Sequence, residues 1–449
     1  MRRAGGWLRR RSPAPALALA AALLAGPAGA AGPASPWKSA PERFVLATGI
    51  PCLYQKDTAS PTTVVGLFIG GGKSAVPQGF DGLAAISTRI LLEIPDEGKV
   101  QDLMSQATRL TYVCLEDGAA VVIECLTEHL ENALKVSAKI IQDPLISGLR
   151  VGRAKETMKA YGKMEEDDAV TTGRNTTFAA FFGGRGYGSL LYGTEATLEV
   201  IGRKDVAAFV KRSFVKPNVF FGVQTDLDPE PIRRLLERFF DGIPDGQAPE
   251  AGRQDPVLPD DRDVTVTKDT KQSFVGRAYA LPRGSLADMA RGVLLETLLG
   301  KDPGSRLWGL RVDDRLAYAV DADVTWMKTS GLLIAHLETD RSRAADAAAA
   351  LERLIDGLRS SGIAEEEMAA TRTVARNRFL RDTEAKAPRL RTLGLFEGLG
   401  LGPTSVAELF AAIEAVTREE MEAYVREALD PSRALRITVG PGPGASPSR

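Results

Sequence analysis

The chain has 449 residues, of which 44% are hydrophobic and 26% charged, as in an ordinary globular protein with room for two or more complete cores. Its formal net charge of −1 gives no electrostatic support for nucleic-acid binding. No apolar run reaches the roughly 18 to 20 residues that cross a bilayer. These properties exclude a basic nucleic-acid-binding protein and a protein with stable membrane insertion.

The N-terminus has the order of a secretory signal peptide. Five arginines (Arg2, Arg3, Arg9, Arg10, Arg11) precede an apolar run at 14–24, and Ala28-Gly29-Ala30 has the A-x-A form of a cleavage site. This order predicts a signal peptide over residues 1–30, cleavage near Ala30 and export to the periplasm. Removing it changes the net charge from −1 to −6. No cysteine directly follows the apolar run, which argues against a lipid anchor.

Hydrophobic periodicity predicts the elements of the first half in chain order. The predicted strands are 44–47, 51–54, 64–69, 110–114, 119–125 and 218–224. The predicted helices are about 80–94, 130–141, 150–163 and 204–214. The first two strands form a hairpin, and Asp117-Gly118 forms the turn of a second hairpin.

The second half repeats this order. Its predicted strands are 264–266, 274–281, 317–326, 331–337 and 434–439, and its predicted helices are 286–299, 344–359, 365–381 and 418–429. A Pro- and Asp-rich stretch separates the two halves. The chain therefore divides into an N-terminal repeat at 40–243, a linker at 244–262, a C-terminal repeat at 263–441 and a disordered tail at 442–449. Duplicated mixed sheets with helices on one face predict an α+β fold.

The helix that follows Gly82 carries an unusual trio. Ala85, Thr88 and Arg89 have the spacing at which the H-x-x-E-H motif of zinc hydrolases places two histidines and a general base. A methyl group, a hydroxyl group and a cation cannot bind zinc or activate water. The helix therefore has the frame of a zinc site without its chemistry.

Histidines and cysteines offer no replacement site. His129 and His336 lie far apart in sequence and are interpreted as surface or packing residues. Export makes a disulfide of Cys114 and Cys125 possible, while three buried thiols, including Cys52, are favoured. No motif pairs a histidine with a serine or cysteine, so we find no candidate nucleophile and base.

Two glycine-rich segments have weaker functional signals. The segment at 70–74 contains Gly72-Lys73-Ser74 but lacks the spacing of a phosphate-binding loop. The segment at 181–188 is rich in glycine and aromatic residues and is interpreted as a mobile loop near a binding cavity, where it could contact substrate.

Five segments resemble the insulinase/pitrilysin family of inverted-motif zinc peptidases, which includes the mitochondrial processing peptidase. They are the strand, glycine loop and Gly82 helix, the acidic-ended helix at 153–168, the Y-G…G segment at 187–193, the segment at 304–318 and the C-terminal segment at 430–441. The fourth reads GSRLWGLRVDDRLAY and is similar to the family element S-R-L-F…L-R-x-x-x-x-L-x-Y. The resemblance covers about residues 40–441 and implies two tandem αβ-roll repeats of the processing-peptidase type.

The resemblance also assigns the positions that would bind zinc. Ala85 and Arg89 occupy the two histidine positions and Thr88 occupies that of the general base. Tyr161 aligns best with the third ligand, a glutamate. Glu156 and Glu165 lie nearby, and they stay open as alternatives. The family comparison thus implies no cofactor in this chain.

Two other family residues are retained, because Arg311 corresponds to the arginine that bonds a substrate carbonyl and Tyr318 to the tyrosine that donates to the oxyanion. The resemblance therefore implies a non-catalytic subunit that completes a shared active site and a peptide-binding chamber. Zinc is expected in an H-x-x-E-H-bearing partner, with peptide or unfolded polypeptide as substrate. The alternative is a non-enzymatic scaffold or peptide-binding protein, in which Tyr318 is structural.

Overall fold

The computed structural model describes residues 36–249, 254–270, 272–300 and 302–441. The predicted signal peptide and the predicted tail at 442–449 lie outside these ranges. Among the described residues no helix is both long and apolar enough to span a bilayer. The predicted boundaries of the two repeats and the linker stay a prediction.

The described residues form eleven strands and fifteen α-helices. The strands are β1 Glu42–Val45, β2 Pro51–Lys56, β3 Thr62–Gly70, β4 Arg109–Cys114, β5 Gly118–Leu126, β6 Val219–Thr225, β7 Asp263–Thr267, β8 Ser273–Pro282, β9 Ala319–Trp326, β10 Ser330–Thr339 and β11 Leu435–Gly440. The helices of the first half are α1 Leu83–Ile90, α2 Glu97–Ser105, α3 Leu130–Gln142, α4 Gly148–Asp167, α5 Ala169–Phe182, α6 Glu195–Val200, α7 Arg203–Ser213 and α8 Pro229–Phe239. Those of the second half are α9 Leu286–Leu299, α10 Arg306–Val312, α11 Ala344–Ser361, α12 Glu365–Asp382, α13 Lys386–Gly398, α14 Ser405–Ala415 and α15 Arg418–Ala428.

Two mixed sheets share one topology. The first has the order β1-β2-β6-β3-β5-β4 and the second β7-β11-β8-β10-β9. Without β1, the two orders correspond strand for strand. Each sheet has one parallel pair of neighbouring strands, namely β2 with β6 and β7 with β11. The α+β fold with two repeated units, predicted from the sequence, is confirmed.

Two differences between the predicted and the observed elements affect the candidate site. The helix predicted at 80–94 is confined to α1, because Gly82 is in a left-handed conformation (φ 94°) directly before it and the chain leaves the helix after Leu91. The strand predicted from residue 317 begins at Ala319, so Tyr318 precedes β9.

Each sheet buries one face under helices of its own repeat, because alternate side chains of a strand point to opposite faces. In the first sheet, Val65, Leu67 and Ile123 pack with residues of α3 and α8 such as Leu134 and Leu236. In the second sheet, the corresponding core contains residues of β8 and β10 with residues of α9, α11 and α15.

The opposite face of each sheet is covered by one helix from the other repeat. Helix α13 lies on β3 and β6 of the first sheet, and α5 lies on β8 and β11 of the second. Leu390 of α13 packs with Val64 and Val122, while Phe178 of α5 packs with Ile334 and Ile437. Each repeat therefore contributes one helix, called an exchanged helix below, to the core of the other repeat.

Glycines allow both exchanged helices to approach a phenylalanine of the opposite sheet. A Cβ atom at Gly173 of α5 would lie 2.5 Å from ring carbons of Phe274, and one at Gly394 of α13 would overlap the ring of Phe68. Phe274 stacks on His336 at a centroid distance of 4.9 Å. His336 is buried, so it is a packing residue.

Candidate functional site

Helix α1 holds the three substituted positions of the zinc motif. Ala85 is fully buried and Thr88 nearly so, and the Thr88 hydroxyl donates to the carbonyl of Ala84 at 2.8 Å. Arg89 follows on the solvent side, with 30% of its side chain exposed. The buried side of the site is therefore closed by the methyl group of Ala85 and by the Thr88 hydroxyl, which is already hydrogen-bonded. Arg89 lies at the solvent-facing entrance.

Three tyrosines from different segments form a cluster next to α1, and one of them, Tyr112, interacts electrostatically with Arg89. Tyr112 lies on β4, which packs on α1, and its pKa is raised to about 12 by burial and by Tyr161, while the charge of Arg89 acts on it in the opposite direction. Tyr161 of α4 is 39% exposed, and its ring lies 5.2 Å from that of Tyr192. Neither Tyr112 nor Tyr192 was identified from the sequence, because no local pattern brings their segments together.

The segment that carries Tyr192 is held rigidly against the Gly82 turn. Asp81 accepts the backbone N–H of Leu190 at 3.0 Å, and a Cβ atom at Gly193 would overlap the Asp81 carbonyl. Tyr187 is buried and its hydroxyl donates to Asp117 at 2.6 Å. The prediction of a mobile loop at 181–188 is therefore wrong, because residues 181–182 end α5 and Tyr187 is a packed, hydrogen-bonded side chain.

The residues present do not fit a zinc ion. Glu156, one alternative third ligand, forms a surface ion pair with Lys159 at 3.2 Å. Glu165, the other, accepts a hydrogen bond from Asn175 at 3.1 Å. No group of three or more His, Cys, Asp or Glu side chains in the described ranges could hold a metal ion. This region of the chain therefore lacks a ligand set for catalytic zinc.

Arg89 shares one carboxylate with a second arginine. Its Nη2 lies 3.8 Å from Oε1 of Glu93, while Nε of Arg150 lies 3.9 Å from Oε2 of Glu93. Arg150 also donates to the Glu93 carbonyl at 2.7 Å. Nε of Arg89 is buried and has no hydrogen-bond partner among the described residues. The group of two arginines and one glutamate thus carries an excess positive charge next to the tyrosines.

A buried amine lies deeper in the same region. Lys73 is 7% exposed, and its Nζ lies 5.2 Å from the ring centroid of Phe178. Burial lowers its pKa, while Glu116, Cys114 and Glu165 act in the opposite direction. In the described part of the chain no carboxylate lies within ion-pair distance of Lys73. The glycine-rich segment at 70–74 therefore turns its lysine inward, which agrees with the exclusion of a phosphate-binding loop.

Arg311 and Tyr318 lie near the C-terminal end of α10. The Arg311 guanidinium stacks on the ring of Trp308, 4.7 Å from its centroid. Tyr318 is 53% exposed, and its hydroxyl donates to Asp340 at 2.6 Å. That hydrogen bond raises the pKa of Tyr318. No hydrogen bond or ion pair between described residues connects either side chain with α1 or α4.

The three cysteines do not form disulfides. Cys52, Cys114 and Cys125 are free and buried, and burial raises the pKa of the thiols of Cys114 and Cys125 to about 12. Cys114 pairs in register with Ala119, not with Cys125. The favoured prediction of three buried thiols agrees with this arrangement.

Comparisons with known proteins agree with the fold and with the substituted motif. A family model described as the peptidase M16 inactive domain matches residues 201–374. A Mycobacterium tuberculosis protein named as an uncharacterized zinc protease is 24% identical over 401 residues, which covers 87% of this chain and 91% of that protein.

Two solved structures show the same fold. The crystal structure of a peptidase M16 inactive domain from Pseudomonas fluorescens superposes with a TM-score of 0.81 at 18% identity, covering 91% of this chain and all (100%) of the other. A chain of complex III2 from Candida albicans superposes with a TM-score of 0.77 at 15% identity, covering 89% of this chain and 95% of the other.

The fold and the substituted site define a peptidase-like protein without catalytic zinc residues. The chain is similar to the insulinase/pitrilysin (M16) family, with a match to its inactive domain over residues 201–374, and it lacks the H-x-x-E-H motif.

Proposed function

We propose that this chain is the non-catalytic subunit of a periplasmic heterodimeric zinc metallopeptidase. The observation that carries the proposal is the complete replacement of the zinc and base residues at Ala85, Thr88, Arg89 and Tyr161 within an otherwise complete family fold. In the proposed complex, a partner chain with an intact H-x-x-E-H motif supplies the zinc and the general base. This chain supplies half of the peptide-binding chamber.

Arg311 and Tyr318 are the groups that this chain contributes to the shared site. A preorganised phenol or guanidinium aimed at developing negative charge supplies about 3 kcal/mol of transition-state stabilisation. Because the Tyr318 hydroxyl donates to Asp340, it must exchange this acceptor for the substrate oxyanion in the complex. The exposure of Tyr318 leaves it free to do so.

The experiment compares the purified chain, its partner and their mixture. We expect co-elution on size-exclusion chromatography, peptide hydrolysis by the mixture and loss of that hydrolysis with a chelator. In the mixture, Tyr318→Phe and Arg311→Ala should each lower kcat about 10²- to 10³-fold. Arg153→Ala, an exposed change on α4, is the control and should have no effect. Chelator-sensitive hydrolysis by this chain alone, or full activity of the Tyr318 and Arg311 variants, would refute the proposal.

A second candidate function is a scaffold or peptide-binding protein without a part in catalysis. Two contacts within this chain favour it. The Tyr318 hydroxyl donates to Asp340, and the Arg311 guanidinium stacks on Trp308, so both side chains already have partners. The likeness to a chain of complex III2 shows that this fold also occurs within a large assembly. This alternative expects no zinc-bearing partner to co-purify and no kinetic effect of Tyr318→Phe.

A further inference from the structure

We propose that the altered zinc site of this chain binds the C-terminal carboxylate of a peptide, with Arg89 as the cation and Tyr112, Tyr161 and Tyr192 as hydroxyl donors. The inference rests on the peptide-binding role proposed above. In a metallopeptidase, this helix position carries a histidine that binds a metal cation. In this chain the position carries Arg89, so the protein itself supplies the positive charge. The complementary ligand is therefore an anion.

The charges at the site leave a cation that is only partly neutralised. Glu93 is shared between Arg89 and Arg150, at 3.8 and 3.9 Å. Neither distance is that of a close hydrogen bond. A guanidinium that lacks a close carboxylate recognises an incoming carboxylate strongly, because charge-assisted hydrogen bonds are shorter and stronger than neutral ones. The unpartnered Nε of Arg89 leaves one donor unused.

The tyrosine cluster that contains Tyr112 supplies neutral donors next to this cation. Burial keeps the pKa of both Tyr112 and Tyr192 above the usual range, so both hydroxyls stay protonated at neutral pH. No hydrogen bond of these two hydroxyls to another described residue competes with a ligand. Tyr161 is the most exposed of the three and lies at the rim. A carboxylate at this position would accept from both the guanidinium and the phenols.

The shape of the site favours the C-terminal carboxylate of a peptide over an acidic side chain in the middle of a peptide. Ala85 and Thr88 close the buried side, and the segment ending at Gly193 packs against Asp81. An extended peptide has no exit on that side. Tyr112 belongs to β4, an edge strand of the six-stranded sheet, and β4 packs on α1, the helix that carries Arg89. A peptide that approaches along this edge would place its last residue next to Arg89.

The test measures binding of three short fluorescent peptides to the full chain without any partner. One peptide has a free C-terminal carboxylate, the second is its C-terminal amide, and the third is the amide with a glutamate inside the sequence. We expect the free acid to bind roughly ten- to hundredfold more tightly than either amide. Equal affinity of the free acid and its amide, or no binding of the free acid, would overturn the inference. Tight binding of the glutamate peptide would overturn the assignment to a chain end.

Variants then assign the effect to the site. Arg89→Met should abolish the preference for the free acid, Arg89→Lys should keep part of it, and Tyr112→Phe should reduce it. Arg153→Ala, on the exposed face of α4, should keep the full preference. Thermal unfolding of each variant verifies that it is folded, and the comparison of peptides on the unaltered chain needs no variant. A preference that survives in folded Arg89→Met would contradict the inference.

Assembly with the zinc-bearing subunit is measured separately by size-exclusion chromatography. Arg89→Met is expected to assemble as the unaltered chain does. Loss of the carboxylate preference with intact assembly therefore tests this site, whereas failure of assembly tests the proposed heterodimer.

Discussion

At the scale of single residues, Lys73 departs from the rule that buried charges are paired. Its amine lies against Phe178, and burial lowers its pKa. The folded state therefore disfavours the protonated amine, whereas the unfolded chain titrates near the ordinary lysine value. Stability should consequently rise with pH from the folded pKa up to that value, because the unfolded chain binds more protons over this window.

Lys73→Met should increase the free energy of unfolding at pH 7 by about 1 kcal/mol, because it removes a buried unpaired charge and keeps an apolar stem. The gain should shrink by pH 10, where the amine of the unaltered protein loses its proton. Urea unfolding at both pH values measures the difference. Lys211→Met, at an exposed position of α7, is the control and should change little. A destabilised Lys73→Met protein would show that a proton acceptor holds this amine.

The candidate site was only half predictable from the sequence. Spacing alone identified Ala85, Thr88 and Arg89, because the three lie within two turns of one helix. Tyr112 lies in a strand that was predicted, but its position beside Arg89 depends on how β4 packs on α1. Tyr192 is brought next to Tyr161 by a segment held to Asp81. Contacts between distant segments have no local signal, so these two residues could not be found.

At the scale of elements, the helices missed from the sequence have two different explanations. Helix α8 has a readable signal, because Asp228 precedes a proline at the start of the helix and Ile232 and Leu236 form a buried stripe. Helix α5, in contrast, is rich in threonine and glycine and has no regular apolar stripe. It and α13 are helical where they pack on the opposite repeat, and that packing overrides weak propensity.

The glycines of the exchanged helices should tolerate no side chain. Gly173→Ala and Gly394→Ala should each lower the free energy of unfolding by about 1–3 kcal/mol, because the new methyl group would overlap the ring of Phe274 or Phe68. Gly357→Ala in α11 is the matched control, since a Cβ atom there meets nothing within 4 Å. It should stabilise the protein by about 0.5–1 kcal/mol through helix propensity. Equal effects of all three changes in thermal or urea unfolding would contradict close packing of α5 and α13.

At the scale of the whole molecule, polar contacts reinforce the exchanged helices. Arg389 of α13 forms an ion pair with Asp57 of the first repeat at 2.8 Å, with both side chains largely buried. Burial alone would raise the pKa of Asp57, but hydrogen bonds from Ala59 and Arg389 hold it below its usual range. Asp117 accepts bonds both from Tyr187 and, at 2.8 Å, from the backbone of Lys328 in the second repeat. The two repeats are thus joined by apolar and polar contacts in both directions.

Because each repeat completes the core of the other, neither should fold alone. Separately expressed chains of residues 36–243 and 254–441 would expose apolar faces that contain Phe68 and Phe274, and we expect both to be insoluble or to lack a cooperative unfolding transition. A protease site inserted at 245–248, between the repeats, should instead give a nicked protein whose two pieces stay together on size-exclusion chromatography. The uncut chain should unfold in urea as a single transition, whereas a sharp independent transition of either half would show that the exchanged helices are dispensable.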